Sequence, residues 1–147
     1  MNEMQEEYKK FAADFVLRFP EEERSKLSVL LNDLINSRTH GLMNSDIESL
    51  FAVFSEVAIE NGSFHYKEFS SFEEIEKWNP NEKIEAAFLI LSFKEEPLMS
   101  DIMRIYDSLQ LHFAAPASGH FGTQLLQNEE NLPSKLIYQM FRKRTHF

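Results

Sequence analysis

The chain has 147 residues, 43% of them apolar, no cysteine, and 24 acidic against 15 basic side chains for a net charge of −9. That length suits one compact domain spanning 1–147, and the missing cysteine excludes a disulfide framework, a thiol nucleophile and a thiolate zinc site. The acidity disfavours direct binding to nucleic-acid phosphates or anionic lipid and favours a basic protein partner; it would equally serve solubility alone.

The first predicted element is a helix in which Met4, Tyr8, Phe11, Ala12, Phe15 and Phe19 recur at spacings of three and four, with Glu6, Glu7, Lys9, Lys10 and Asp14 opposite. Pro20-Glu-Glu-Glu23 then opens a second helix, since proline suits a first turn and carboxylates suit the positive end of the helix dipole. Leu27, Leu30, Leu31, Leu34 and Ile35 form its apolar stripe, and a stop is expected near Asn36 to Arg38, before Gly41. A capping box, Ser45-Asp-Ile-Glu48, heads a third helix that Asn61-Gly62 would end.

Alternation of Phe64 and Tyr66 with His65 and Lys67 predicts a strand over Ser63 to Phe69. Ser71-Phe-Glu-Glu74 is a second capping box, for a short helix ending at Trp78 before the Asn79-Pro80-Asn81 turn. Ile84 to Phe93 lacks a polar face and reads as a strand covered on both sides, although a buried helix has the same pattern. A helix follows from about Leu98 to Leu111, with Ile102, Tyr106 and Leu109 inward and Met99, Met103 and Ile105 beside them. After the loop from His112 to Gly122, Thr123 to Leu126 suits a short strand. Pro133 suits the start of a last helix through Arg144, with Leu136, Ile137, Met140 and Phe141 inward. The whole reads as a helix-rich α+β fold whose small sheet lies within residues 63–126.

Little in this chain points to catalysis, and the expectation is a protein that is not an enzyme. The histidines, His40, His65, His112, His120 and His146, include no pair four apart on a predicted helix, so no metal is expected. Ser118-Gly-His120 lacks the glycine-flanked elbow of a hydrolase serine. Four glycines in no phosphate-cradling spacing leave no nucleotide loop, so no cofactor is expected. A small enzyme using His112 and His120 under the 112–122 loop is the alternative; otherwise the small residues from Ala114 to Gly122 let the backbone turn or pass close to the body.

The densest aromatic stretch is Phe64, Tyr66, Phe69, Phe72 and Trp78, edged by Glu68, Glu73, Glu74 and Glu76. It is either a corner of the core or an aromatic anchor with a charged rim, the composition of a protein-binding hot spot. On the second reading Glu68, Phe69, Phe72, Glu73, Glu74, Glu76 and Trp78 are the partner-binding residues. Residues 1–100 hold 20 acidic and 10 basic groups, whereas residues 101–147 hold 4 and 5, the latter including Arg142-Lys143-Arg144, so the acidic field belongs to the first two-thirds.

Given the acidic groups Glu3 to Glu7, Glu21-Glu-Glu23 and Glu73-Glu-Ile-Glu76, this cysteine-free, helix-rich chain resembles the small acidic immunity proteins, or antitoxins, of bacterial polymorphic toxin systems. The resemblance covers the whole chain in character and includes no diagnostic motif. It implies a cytoplasmic inhibitor that occludes a toxin's active site, often a nuclease groove in which carboxylates replace phosphates. A secretion chaperone or adaptor is the alternative among binding proteins. The acidic start, Met1-Asn-Glu-Met-Gln-Glu-Glu7, unlike a basic secretory signal, and the lack of any apolar run near the roughly 20 residues of a membrane span agree with a cytoplasmic location.

Overall fold

The computed structural model describes residues 3–36, 50, 52–54, 64–113, 121–127 and 132–140. Its elements are α1 (Glu3–Val16), α2 (Glu21–Asn36), β1 (Phe64–Phe69), α3 (Phe72–Lys77), β2 (Ile84–Phe93), α4 (Met99–Gln110), β3 (Phe121–Gln127) and β4 (Ser134–Met140), with Leu50 and residues 52–54 also helical. The fold is mixed α+β, as expected. The Ser45–Glu48 capping box, the Asn61-Gly62 stop, Ala114 to His120 and the Arg142–Arg144 triplet lie outside the described residues.

The four strands run in the order β1-β4-β2-β3. β4 is antiparallel to both of its neighbours and β2 is parallel to β3, so the last strand in sequence enters between the first two. This corrects the expected helix from Pro133 to Arg144. Leu136, Ile137, Met140 and Phe141 fit a helical stripe, but the described residues of this segment also alternate: Leu136, Tyr138 and Met140 meet one core, while Ile137 meets the other. A short run that is apolar on both sides does not distinguish helix from strand, and a proline is as acceptable before a strand as at a helix start. The sheet accordingly extends beyond residue 126.

Alternation along β2 divides the core. Ala86, Phe88 and Ile90 pack with α1, α2, Leu50, Val53 and Phe54, whereas Ala87, Leu89 and Leu91 pack with α3 and α4. Ile84 has even parity but belongs to the second group, because the pairing with β4 slips between Ile84 and Ala86, an irregularity of the β-bulge kind that turns it to the other face. The two faces are therefore covered by different helices, and β2, buried on both, reads as a continuous apolar run.

On the α1–α2 side the core is aromatic. Phe15, fully buried, lies 5.0 Å from Phe19, 5.1 Å from Phe54 and 5.7 Å from Phe64 between ring centroids. The Arg18 guanidinium lies over Phe64 at 5.7 Å, a cation–π contact at the edge of this cluster. Arg24 donates from Nε to the Phe19 carbonyl at 2.9 Å and from Nη2 to that of Leu17 at 3.3 Å, which satisfies carbonyls beyond the end of α1 and fixes the turn into α2.

On the opposite side, α4 buries Ile102, Ile105 and Leu109, but Met99 is 70% and Met103 50% exposed, so the apolar flank expected of these two methionines faces outward. At α3 the Ser71 hydroxyl accepts from the Glu74 amide as expected of a capping box, but Glu74 returns its carboxylate to Ser70 rather than to Ser71. Phe113 bridges Ile84, and β3 rejoins the flank of β2 at Phe121, three residues further along that strand. β3 spans Phe121–Gln127, longer than the Thr123 to Leu126 expected.

A close approach does govern one of the loop's glycines. A Cβ on Gly122 would lie 2.9 Å from both Phe88 Cδ1 and Val53 Cγ2, inside normal contact distance of two core side chains. Gly122→Ala should lower unfolding stability by about 1–3 kcal/mol through overpacking. Phe15→Ala should cost about 3–5 kcal/mol. Urea unfolding followed by circular dichroism measures both; an unchanged midpoint for Gly122→Ala would show that β3 does not pack as described.

Candidate functional site

The residues expected to form a partner patch are only partly brought to one surface. Phe69 is 2% exposed and belongs to the core with Ile75, while Phe72 and Trp78 are half-buried against it. Glu68, on the opposite parity of β1 from Phe69, accepts from the Tyr66 hydroxyl at 2.8 Å and pairs with Lys26 at 3.5 Å. Glu73 pairs with Lys77 one helical turn on at 2.6 Å, Glu74 accepts from the Ser70 amide at 2.7 Å, and Glu76 pairs with Arg104 of α4 at 3.2 Å. These four carboxylates thus have intramolecular partners, and the aromatic rings between them serve mainly to pack α3 on the sheet.

Exposed acidic side chains without an ion pair among the described residues lie on more than one surface: Glu82, Glu95, Glu96 and Asp107 are among them, as are several of the first two helices. On α1 and α2, Glu6, Glu7, Asp14, Glu21, Glu22 and Asp33 are exposed and form no ion pair among the described residues. Three basic groups of the same layer are engaged: Arg18 on aromatic rings, Arg24 on carbonyls and Lys26 on Glu68. The helix layer therefore presents carboxylates with fewer available cations than its sequence suggests.

Glu23 joins this layer to the sheet. β1 is an edge strand, and an edge exposes unpaired backbone donors. The Tyr66 amide donates to Glu23 Oε1 at 2.6 Å, while Glu23 Oε2 lies 3.5 Å from His65 Nδ1. A helix side chain so occupies part of the sheet edge. Beside it a groove of about 700 Å³, lined by Glu22, Glu23, Lys26, Tyr66, Lys67 and Glu68 among others, opens between α2 and β1.

A second pocket of about 420 Å³ lies on the other face of β1 and β4, lined by His65, Trp78, Asn79, Asn81, Glu82 and Tyr138 among others. The Trp78 and Tyr138 rings meet edge to face at 5.1 Å and 69°, and His65 leans on Tyr138 at 5.5 Å. His112, one of the two histidines of the enzyme alternative, has its ring 6.2 Å from Trp78 while its carbonyl accepts from the Ile84 amide at 2.7 Å. His120 lies outside the described residues. Among the described residues no group of three or more His, Asp and Glu side chains is placed to hold a metal ion.

Sequence reasoning missed Glu23, His65 and Tyr138 as site residues. Glu23 looks like any acid of a first helical turn, and Tyr138 fell in the segment read as a helix; only their convergence across 115 positions of chain makes them neighbours.

Two phenols titrate abnormally. Burial pushes Tyr66 far up, assisted by its hydrogen bond to Glu68 and by that carboxylate's charge. Burial also pushes Tyr138 from 10.0 up to about 12, with the Glu23 charge a smaller cause. Because folding raises both values, the stability they contribute is complete below about pH 10 and declines as the pH rises through 12. Glu23→Gln should bring Tyr138 only part of the way back towards 10, since burial remains. Tyrosinate absorbance in an alkaline titration, read beside the unfolding midpoint, checks this; a complete return would make the charge the main cause.

No family model matches this chain, and no curated protein matches its sequence. One chain of a solved structure, described as "FtsZ dimer, empty (M. jannaschii)", aligns with 83% of this chain at 17% identity and a TM-score of 0.41. The present chain covers 40% of that chain's length.

Proposed function

We propose that this protein works by binding a basic protein partner, as an immunity-type inhibitor that neutralises a bacterial toxin by occluding its active site. The observation that carries this reading is the set of exposed, unpaired carboxylates on α1 and α2, beside an open groove at the β1 edge. Carboxylates so placed attract a cationic surface and speed its approach, and they can occupy a groove shaped for phosphates. The same field opposes nucleic acid and anionic membranes. No described helix is long and apolar enough to cross a membrane, and the site of action in this reading is the cytoplasm.

The reading moves the charged contacts from Glu68, Glu73, Glu74 and Glu76, which already have partners, towards α2 and the β1 edge, and leaves Trp78 beside that edge open to the partner. Glu21 and Glu22, both exposed, are better candidates for intermolecular contact.

The first test is the gene's neighbourhood and a toxicity assay. An adjacent reading frame whose product arrests growth, with growth restored when this chain is co-expressed, is the expected result. A neighbouring biosynthetic operon, or an adjacent product that is not neutralised, overturns the proposal. With the partner in hand, Glu21→Lys together with Glu22→Lys should slow association about tenfold at low salt, and the difference should shrink as salt is added. Stopped-flow mixing measures it.

A further inference from the structure

The pocket walled by Trp78 and Tyr138 lies apart from the groove at the β1 edge. Its lining includes Trp78, Tyr138, Asn79, Asn81, Glu82 and His65. Its volume of about 420 Å³ lies within the range of sites that hold an organic group, about 300–1,000 Å³.

We propose that this pocket receives a guanidinium group, as the arginine side chain of the basic partner. The proposal rests on the binding reading above and names what the partner would insert.

Each wall contributes to the choice. Tryptophan and tyrosine attract a cation over the ring face, tryptophan best, and a planar guanidinium also stacks there where an ammonium does not. Trp78 is held in place by edge-to-face contacts with Phe69 at 5.7 Å and with Tyr138, so its ring is positioned before any ligand arrives. Glu82, exposed and without an ion pair among the described residues, supplies a carboxylate that a forked N–H donor matches, and Asn79 and Asn81, residues with acceptor oxygens, also line the pocket. A quaternary ammonium, which has no N–H, would leave those acceptors unused. Glu23 adds a negative charge beside the pocket: its carboxylate lies 3.5 Å from His65, and its charge is a smaller cause of the raised Tyr138 pKa. That phenol stays protonated at neutral pH and brings no charge of its own.

Trp78 is the single tryptophan of the chain, so its fluorescence reports on this pocket alone. The full-length protein is titrated with N-acetyl-arginine amide, with the lysine counterpart, and with N-acetyl-citrulline amide, which keeps the shape and loses the charge. The expected result is a saturable fluorescence change with arginine, and binding of citrulline at least about tenfold weaker. Glu82→Gln, an exposed position outside the core, should weaken arginine about threefold, and Tyr138→Ala should abolish the change while circular dichroism confirms the fold. No saturable change with arginine, or equal responses to arginine and citrulline, overturns the assignment.

The partner separates this assignment from the reading beneath it. If capped arginine binds as described but the adjacent gene product is not neutralised, the pocket stands and the inhibitor reading fails. If the partner binds and both Glu82→Gln and Tyr138→Ala leave its affinity unchanged, the pocket assignment fails and the inhibitor reading stands.

Discussion

The structure depends on β4 entering between β1 and β2. β1 ends at Phe69 and β2 begins at Ile84, yet the two strands never pair; each is bonded to β4 instead. Through β4 the core beneath α1 and α2 is tied to the core beneath α3 and α4, since Ile137 belongs to the first and Leu136 to the second, both fully buried. A strand apolar on both faces is stable only if both are covered, and here helices cover both. The β1 ladder, the edge beyond it and the two clefts beside it all follow from that insertion, and so does the distance of β1 from β3.

This arrangement also decides how the acidic residues are used. The net charge of −9 says nothing about which carboxylates are available to a partner. Where strands and short helices meet, the acids are recruited into the fold: Glu23 occupies a sheet-edge amide, Glu68 a phenol, Glu74 a backbone amide and Glu76 an arginine from another helix. On the outer surface of α1 and α2, Glu6, Glu7, Asp14, Glu21, Glu22 and Asp33 form no ion pair among the described residues and remain available. Glu68 further faces Lys135 across the β1–β4 ladder, an opposite-charge pair that suits the register.

The two clefts beside β1 differ in chemistry because strand residues alternate. Tyr66 and Glu68 point to the α2 side and give a groove of charged groups; His65 points to the other side, where β4 contributes Tyr138 and the turn after α3 contributes Trp78. Glu23 reaches both, through the Tyr66 amide and the His65 ring. Any change of charge at Glu23 is thus felt on both faces of the strand.

Local signals within one stretch indicated α1, α2, β1, α3 and α4, through the threes and fours up to Phe19, the alternation from Phe64 and the capping box at Ser71, whereas the unbroken apolar run from Ile84 fits a strand or a buried helix and is decided as β2 by its pairing with β3 and β4. The close-packed glycine was legible only as a tendency of the small-residue loop, and its reason, Phe88 and Val53, comes from two other elements. β4 was not legible at all as a strand, since Leu136, Ile137 and Met140 satisfy a helical and a strand pattern equally, and the choice is made by the bonds that β1 and β2 offer from more than 40 residues away. The candidate site follows the same division. The sequence showed that acids and aromatics are abundant around 68–78, but only the tertiary structure decided that Phe69 is core, that Glu73 and Glu76 are paired, and that Glu23, His65 and Tyr138 meet. The physical reason is that periodicity reports which face of an element is apolar, whereas the partner of a carboxylate or a ring is set by long-range packing that no local pattern encodes.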